Sequence, residues 1–150
     1  MPLSDADRRS AAIDAYNRAW DLLDLGDRRT LEEDAELIDA AHASRHLWRA
    51  VGGPEQAAIG EWMTSRAYAV TGHGESAIRH ATRADVIVDA TPDLPHWLRA
   101  SVSEGMARAL IAAGDTAGAA VWRERARAES AQIPDPEDRA LIEEQISTLG

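Results

Sequence analysis

Residues 60–84 read GEWMTSRAYAVTGHGESAIRHATRA, and residues 103–128 read SEGMARALIAAGDTAGAAVWRERARA. Aligning Gly72 with Gly114 puts these two segments in register, 42 residues apart. Each glycine separates two stretches rich in alanine, arginine and glutamate, which are good helix formers. A glycine at such a junction is typical of a helix end. The two segments therefore predict antiparallel helix pairs that repeat along the chain.

The rest of the chain continues the helical pattern. No stretch alternates apolar and polar residues with a period of two, so no strand is predicted. The breaks are glycines, prolines and helix-capping residues, such as the box formed by Thr30 with Glu33 and the first-turn proline Pro54. Asp93 is expected to cap the fifth helix and Pro95 to begin it. The breaks predict seven helices, near 5–25, 30–51, 54–71, 75–91, 95–113, 115–132 and 136–148.

Two patterns predict where the core lies. The fifth helix carries one apolar stripe, in which residues from Leu98 to Ala113 recur at steps of three and four. Phenylalanine is absent, so the five tryptophans are the main bulky residues. At least three of the five are expected to be largely buried.

Small residues recur at fixed sites of the two repeated pairs. Ser65, Ala77 and Ala84 occupy these sites in one pair, and Tyr68 stands at an aromatic site beside them. The second pair has Ala107, Leu110, Ala119 and Ala126 at the corresponding sites. This pattern resembles the tetratricopeptide repeat (TPR) family, in which small side chains let paired helices cross closely. The 42-residue spacing exceeds the 34 residues of the family and implies longer helices or loops.

The resemblance implies an all-α fold in which antiparallel helix hairpins stack as a short right-handed TPR-like solenoid. Residues 1–150 would form a single domain of this kind, similar to small stand-alone bacterial proteins of unassigned function. In the first pair Ala19, Leu22 and Gly26 match the pattern, but Leu31 stands at a small-residue site. The predicted parts are a degenerate first pair at 5–51, a second pair at 54–91, a third pair at 95–132 and a capping helix at 136–148.

In TPR proteins the first helix of each pair lines a concave face, so the resemblance implies a binding groove. Arginine can hold a carboxylate with two hydrogen bonds, and tryptophan offers a broad apolar contact. The predicted function is therefore a non-catalytic interaction module for a protein or peptide with an acidic residue or a free C-terminal carboxylate. An alternative is that Arg66 and Glu104 only pair with each other. The implied groove residues are Tyr16, Trp20, Trp62, Arg66, Glu104 and Arg108.

A second cluster, His42, Arg45, His46 and Arg49, shares one face of the second predicted helix. It supports an alternative function as a small-ligand, anion or metal-binding protein, an enzyme included. Residue 43 is alanine, so the HExxH metal motif is absent, and the neighbouring arginines would repel a cation. An anion is therefore favoured over a metal. We predict no metal site and no cofactor.

Bulk composition excludes several classes of function. The net charge is −10 and no basic stripe is present, which disfavours nucleic acid and anionic membranes as partners. No Ser-His-Asp set or glycine-rich phosphate loop can be inferred, so the chain is not predicted to be an enzyme. The polar N-terminus and the absence of long apolar runs favour a cytoplasmic protein. The open end of a short array also predicts a homodimer as one way to cover its apolar surface.

Overall fold

The computed structural model describes residues 1–150 and confirms an all-α fold of seven helices without strands. Every predicted helix is found, and its ends differ from the prediction by at most two residues. None of the helices is both long and apolar enough to cross a membrane. The helices are α1 (Asp5–Asp24), α2 (Leu31–Val51), α3 (Pro54–Val70), α4 (Gly74–Ala90), α5 (His96–Ala112), α6 (Thr116–Ser130) and α7 (Pro136–Ser147).

Helix caps account for most of the helix boundaries. The Thr30 hydroxyl accepts a hydrogen bond from the Glu33 amide at 3.1 Å, and the Glu33 carboxylate accepts one from the Thr30 amide at 3.1 Å. The expectation for Asp93 is wrong, because Pro95 itself is the N-cap of α5 and no side chain caps that helix. Helix α5 begins at His96, so Asp93 lies outside the position from which a side chain reaches the first free amides.

The turns at Gly72 and Gly114 have the same geometry. Both glycines have a positive φ, 83° and 88° respectively, in the region that other residues rarely adopt. After the first glycine, the His73 amide donates to the Tyr68 carbonyl at 2.9 Å. Asp115 makes the equivalent 2.9 Å bond to Leu110. A hydrogen bond that closes six residues in this way defines the Schellman turn. Its recurrence 42 residues further along the chain supports the alignment of Gly72 with Gly114 in the sequence.

The small residues of the two repeated pairs lie where their helices come closest. None of the six is more than 1% exposed, so each side chain is enclosed by neighbouring helices. A larger side chain at any of these sites would force the helix backbones apart. The six residues are Ser65, Ala77, Ala84, Ala107, Ala119 and Ala126.

The first pair departs from this register because of an inserted turn. A 3₁₀ helix at Gly26–Arg28, absent from the prediction, separates α1 from α2. It displaces Leu31, which is 88% exposed and does not occupy the small-residue site expected for it. Further along α2, Ala41 is completely buried and takes the role that Ala84 has in the second pair.

The helices pack sequentially, and α5 lies at the centre. The pairs α1–α2, α3–α4 and α5–α6 form hairpins, while α3 also contacts α2 and α5. Helix α5 contacts α3, α4, α6 and α7, so it is buried on nearly every side. The single stripe predicted for α5 is therefore too narrow, because Ser101, Ser103 and Glu104 are buried as well. Helix α7 covers the end of the stack by packing on α5 and α6.

We expect Gly74→Ala to destabilise the stack. A methyl group at Gly74 would lie 2.6 Å from the backbone nitrogen of Ala113, so the start of α4 and the end of α5 would have to separate. Overpacking of this kind costs about 1–3 kcal/mol in unfolding free energy. Urea titration measures the loss. Gly53→Ala is the matched control, because its nearest neighbour would be 3.8 Å away. Equal stability of the two variants would contradict this packing.

Candidate functional site

An open groove of about 400 Å³ crosses the layer formed by α1, α3, α5 and α7. Its walls are mainly apolar, and Leu141 on α7 leaves 59% of its surface exposed at the rim. The structure places three of the six expected groove residues in these walls, Tyr16, Trp20 and Trp62. The other lining residues are Ile59, Trp97, Leu98, Ser101, Asp138, Leu141, Ile142 and Gln145.

Tryptophan rings form much of the groove. The ring centroids of Trp20 and Trp62 are 5.8 Å apart. Trp62 seats against α5 because Gly105 has no side chain, and a Cβ there would be 2.8 Å from the indole Cδ1. Trp62 is buried, and the other four tryptophans are partly buried, which agrees with the expectation that at least three are largely buried. Trp20 and Trp97 are partly exposed because the groove leaves one side of each ring without a neighbour.

A buried charge cluster lies beside the groove and contains the other three expected residues. Glu104 is completely buried in α5. Its Oε1 accepts a hydrogen bond from Arg108 Nε at 2.8 Å, and Arg108 Nη2 donates to Thr148 Oγ1 at 2.8 Å. Arg108 therefore ties α5 to the end of α7. Its Nε and Nη2 groups are thus bonded within the protein.

Arg66 is less completely paired than Arg108. Its Nη1 lies 3.8 Å from Glu104 Oε2, which is a close charge contact but not a hydrogen bond. Neither Nε nor Nη1 of Arg66 has a hydrogen-bond partner. The guanidinium lies 5.7 Å from the centroid of Trp20 and 5.8 Å from that of Trp62. Burial lowers the pKa of Arg66, and the charge of Glu104 opposes that shift.

The charge contact between Arg66 and Glu104 leaves the cluster unbalanced. Two guanidinium groups face one buried carboxylate, so the positive charge is in excess. Asp24 attracts Arg66 from the end of α1, but it is exposed and forms no ion pair with it. Nε and Nη1 of Arg66 are buried, so Nη2 is the nitrogen of this guanidinium that an incoming acceptor would meet.

Two further polar atoms of groove residues lack partners. The indole Nε1 of Trp62 is a donor without an acceptor, and Oε1 of Gln145 is an acceptor without a donor. Both atoms are buried, and a Cβ on Gly105 would lie 3.2 Å from the indole Nε1, so that nitrogen faces α5 rather than the open groove. They are unpaired groups of the packed interior beside the groove.

Within the histidine-arginine cluster, the structure gives His42 and His46 different surroundings. His42 points into the space between helices, where its Nε2 is hydrogen-bonded to the Tyr68 hydroxyl at 2.9 Å. His46 is exposed and makes no hydrogen bond with His42 or Arg45. Arg45 donates from Nε to Glu61 Oε1 at 2.7 Å, and Arg49 is exposed. No three potential metal ligands converge here or elsewhere.

His42 belongs instead to a buried polar chain. The ring of His80 stacks on that of Tyr68, with centroids 5.6 Å apart and planes within 9°. His80 Nδ1 donates to Glu61 Oε2 at 2.7 Å, and the other oxygen of Glu61 holds Arg45. Sequence reasoning missed Glu61 and Tyr68 as members of this cluster, because their spacing to His42 and His80 follows no local pattern.

This polar chain makes the native state sensitive to acid. Burial lowers the pKa of His42, and the charges of His80 and Arg45 add to that effect. Burial acts to raise the pKa of Glu61, but hydrogen bonds from His80 and Arg45 outweigh it and hold that pKa below its usual range. In both cases protonation favours the unfolded chain, so stability falls as the pH falls.

Comparison with known proteins gives no relative for this arrangement. No protein-family model matches the chain, and no curated protein or solved structure matches it either.

We expect Glu104→Gln to be strongly destabilising, because it leaves two buried arginines without their shared carboxylate. Removing one partner of a buried ion pair costs about 3–5 kcal/mol. The free energy of unfolding in urea measures this. The control is Glu124→Gln, which removes an exposed carboxylate from the pair with Arg127 and should change little. A loss no greater than that of the control would show that Glu104 does not hold the cluster together.

We also expect His42→Gln to flatten the dependence of stability on pH. The pKa of His42 lies below its ordinary value of 6.5. Its contribution is therefore present above pH 6.5 and is lost as the pH falls below that value. Protonation of Glu61 also lowers the stability, but only below pH 4.5, which is the ordinary pKa of that carboxyl group. Thermal unfolding between about pH 7.5 and 5.5 tests His42 separately from Glu61, and the comparison of His42→Gln with the wild type isolates its contribution. A wild-type slope in His42→Gln, or a flattened slope in the exposed control His46→Gln, would refute this role.

Proposed function

We propose that the chain is a non-catalytic, TPR-like interaction module whose tryptophan-lined groove binds an apolar peptide segment that carries a carboxylate. The observation that carries the proposal is the position of Arg66, an incompletely paired arginine that lies against Trp20 and Trp62, two of the residues that line the open apolar groove. No constellation of nucleophile, base and oxyanion donors accompanies it, so binding is the activity that these residues support best.

The shape and lining of the groove favour a peptide. Its volume of about 400 Å³ accommodates a few side chains, and its aromatic and aliphatic walls offer the contacts that anchor residues use.

The charge cluster favours a carboxylate on that peptide. Arg66 contributes a charge that Glu104 does not fully balance, since Arg108 already occupies Oε1 of the same carboxylate. The Arg66 side chain is 16% exposed, and Nη2 is the one guanidinium nitrogen that is neither hydrogen-bonded nor buried. A carboxylate that approached along the tryptophan faces would accept a hydrogen bond from Nη2 in a partly desolvated setting, where such a bond is strong.

Peptides selected from a random library with free C-termini provide the probe. We expect wild-type protein to enrich apolar sequences, and Leu141→Glu to weaken their binding by about tenfold or more, because it places a charge at the groove rim. Val121→Glu is the matched control, since Val121 is 70% exposed on α6 and does not line the groove. Fluorescence anisotropy measures both affinities. Equal weakening by the two variants, or no enrichment at all, would refute the groove as the binding surface.

Arg66→Met tests the carboxylate separately from the groove. Methionine keeps an apolar side chain between the tryptophans and leaves Glu104 paired with Arg108. We expect Arg66→Met to lower the affinity for a peptide with a free C-terminal carboxylate by about tenfold. The affinity for the same peptide with an amidated C-terminus should stay within about twofold of the wild-type value. Equal affinity of wild-type protein for the acid and the amide would contradict the role of Arg66.

A further inference from the structure

A second groove, of about 590 Å³, lies between α2 and α4 and shares no lining residue with the peptide groove. Its character is different, because three arginines bound it. Arg45 and Arg49 come from α2, and Arg83 comes from α4. Glu61 lies at its base, and Val86 with Ile87 forms an apolar wall.

Two of the three arginines of this groove have no partner within the protein, which is unusual in this chain. The sequence contains 16 basic residues, all arginine. Thirteen of them make an ion pair or a hydrogen bond within the protein. The other three are Arg49, Arg79 and Arg83, and two of these line the groove. In a chain of net charge −10, unpaired arginines that converge on one groove indicate a site for an anion.

Arg45 is held in place by the buried polar chain. Its Nε donates to Glu61 Oε1 at 2.7 Å, while His80 fixes the other carboxylate oxygen. Helix α3 comes close enough for this contact because Gly60 lacks a side chain, and a Cβ there would be 3.2 Å from Arg45 Cα. The Nη groups of Arg45 make no hydrogen bond within the protein. Their position is thus set before any ligand arrives.

The charges of the groove match a dianion. Three guanidinium groups and one carboxylate leave an excess of two positive charges. A phosphate monoester carries about −1.5 to −2 at neutral pH, whereas a carboxylate carries only one charge. The Thr82 hydroxyl already donates to the Ile78 carbonyl, so guanidinium groups are the available donors. They suit phosphate oxygens, which accept paired hydrogen bonds from arginine.

We propose that the groove between α2 and α4 is a binding site for a small organic phosphate monoester. The phosphate lies among Arg45, Arg49 and Arg83, and the organic part packs on the apolar wall. Val86 supports this orientation, because 62% of its surface is exposed in the free protein and would be covered by such a ligand. This site is independent of the peptide groove, and either one can fail without the other.

Phenyl phosphate and inorganic phosphate are the probes, titrated against the full chain by NMR at low ionic strength. We expect saturable shifts of the backbone amides of Arg49, Arg83 and Val86, with phenyl phosphate binding more tightly because its ring covers apolar surface. Arg49→Gln and Arg83→Gln should each lower the affinity for phenyl phosphate by about tenfold, since each removes the donors of one guanidinium group. These two exposed arginines make no ion pair or hydrogen bond within the protein, so both variants should keep the wild-type fold.

Arg79→Gln is the matched control. It removes the same charge from the same helix, and Arg79 is also exposed and unpaired, but it does not line the groove. We expect its affinity for phenyl phosphate to stay within about twofold of the wild type. Equal weakening by Arg79→Gln and Arg83→Gln would show only diffuse charge attraction and overturn the site. Shifts confined to Trp20 and Trp97, or no saturation, would overturn it as well.

Discussion

The structure depends on the close approach of helices at small side chains. Ala58 and Ala100 are completely buried at equivalent positions of α3 and α5, and the other small repeat sites are at most 1% exposed. Where even a methyl group would be too large, glycine takes its place, as at Gly74 against the end of α5. Close packing of this kind removes apolar surface from water and allows little variation in residue volume. It also fixes the angle and distance at which each pair meets the next.

The same close approach creates the two grooves. Gly105 admits the ring of Trp62 to the surface of α5, and Gly60 brings α3 against Arg45. Beside each groove, a buried glutamate accepts a hydrogen bond from one arginine. Other arginine donor groups nearby have no hydrogen-bond partner within the protein. Glu104 has this role next to the tryptophans, and Glu61 has it between α2 and α4. A buried carboxylate is costly, so the arginines that satisfy it are held in fixed positions rather than free in solvent.

Much of the helical architecture could be predicted from the sequence because its signals are local. The capping box of Thr30 with Glu33 and the positive-φ glycines Gly72 and Gly114 act over a few residues, and the structure confirms each of them. The candidate site could be predicted less well from local signals of this kind. Tyr16 and Trp20 lie in the groove walls, whereas Arg108 lies outside them and donates a hydrogen bond to Thr148, 40 residues away.

By itself the sequence determined the number of helices, their ends and the repeat register, since these follow from propensity, capping and the spacing of small residues. Only the tertiary structure decided which polar residues are buried. The pattern of α5 predicts one apolar face, yet four neighbouring helices surround it and enclose Glu104. Likewise, His42 and His46 share a helix but face different surroundings, because α3 and α4 cover only one of them. Burial depends on neighbours distant in the chain, and no local pattern encodes them.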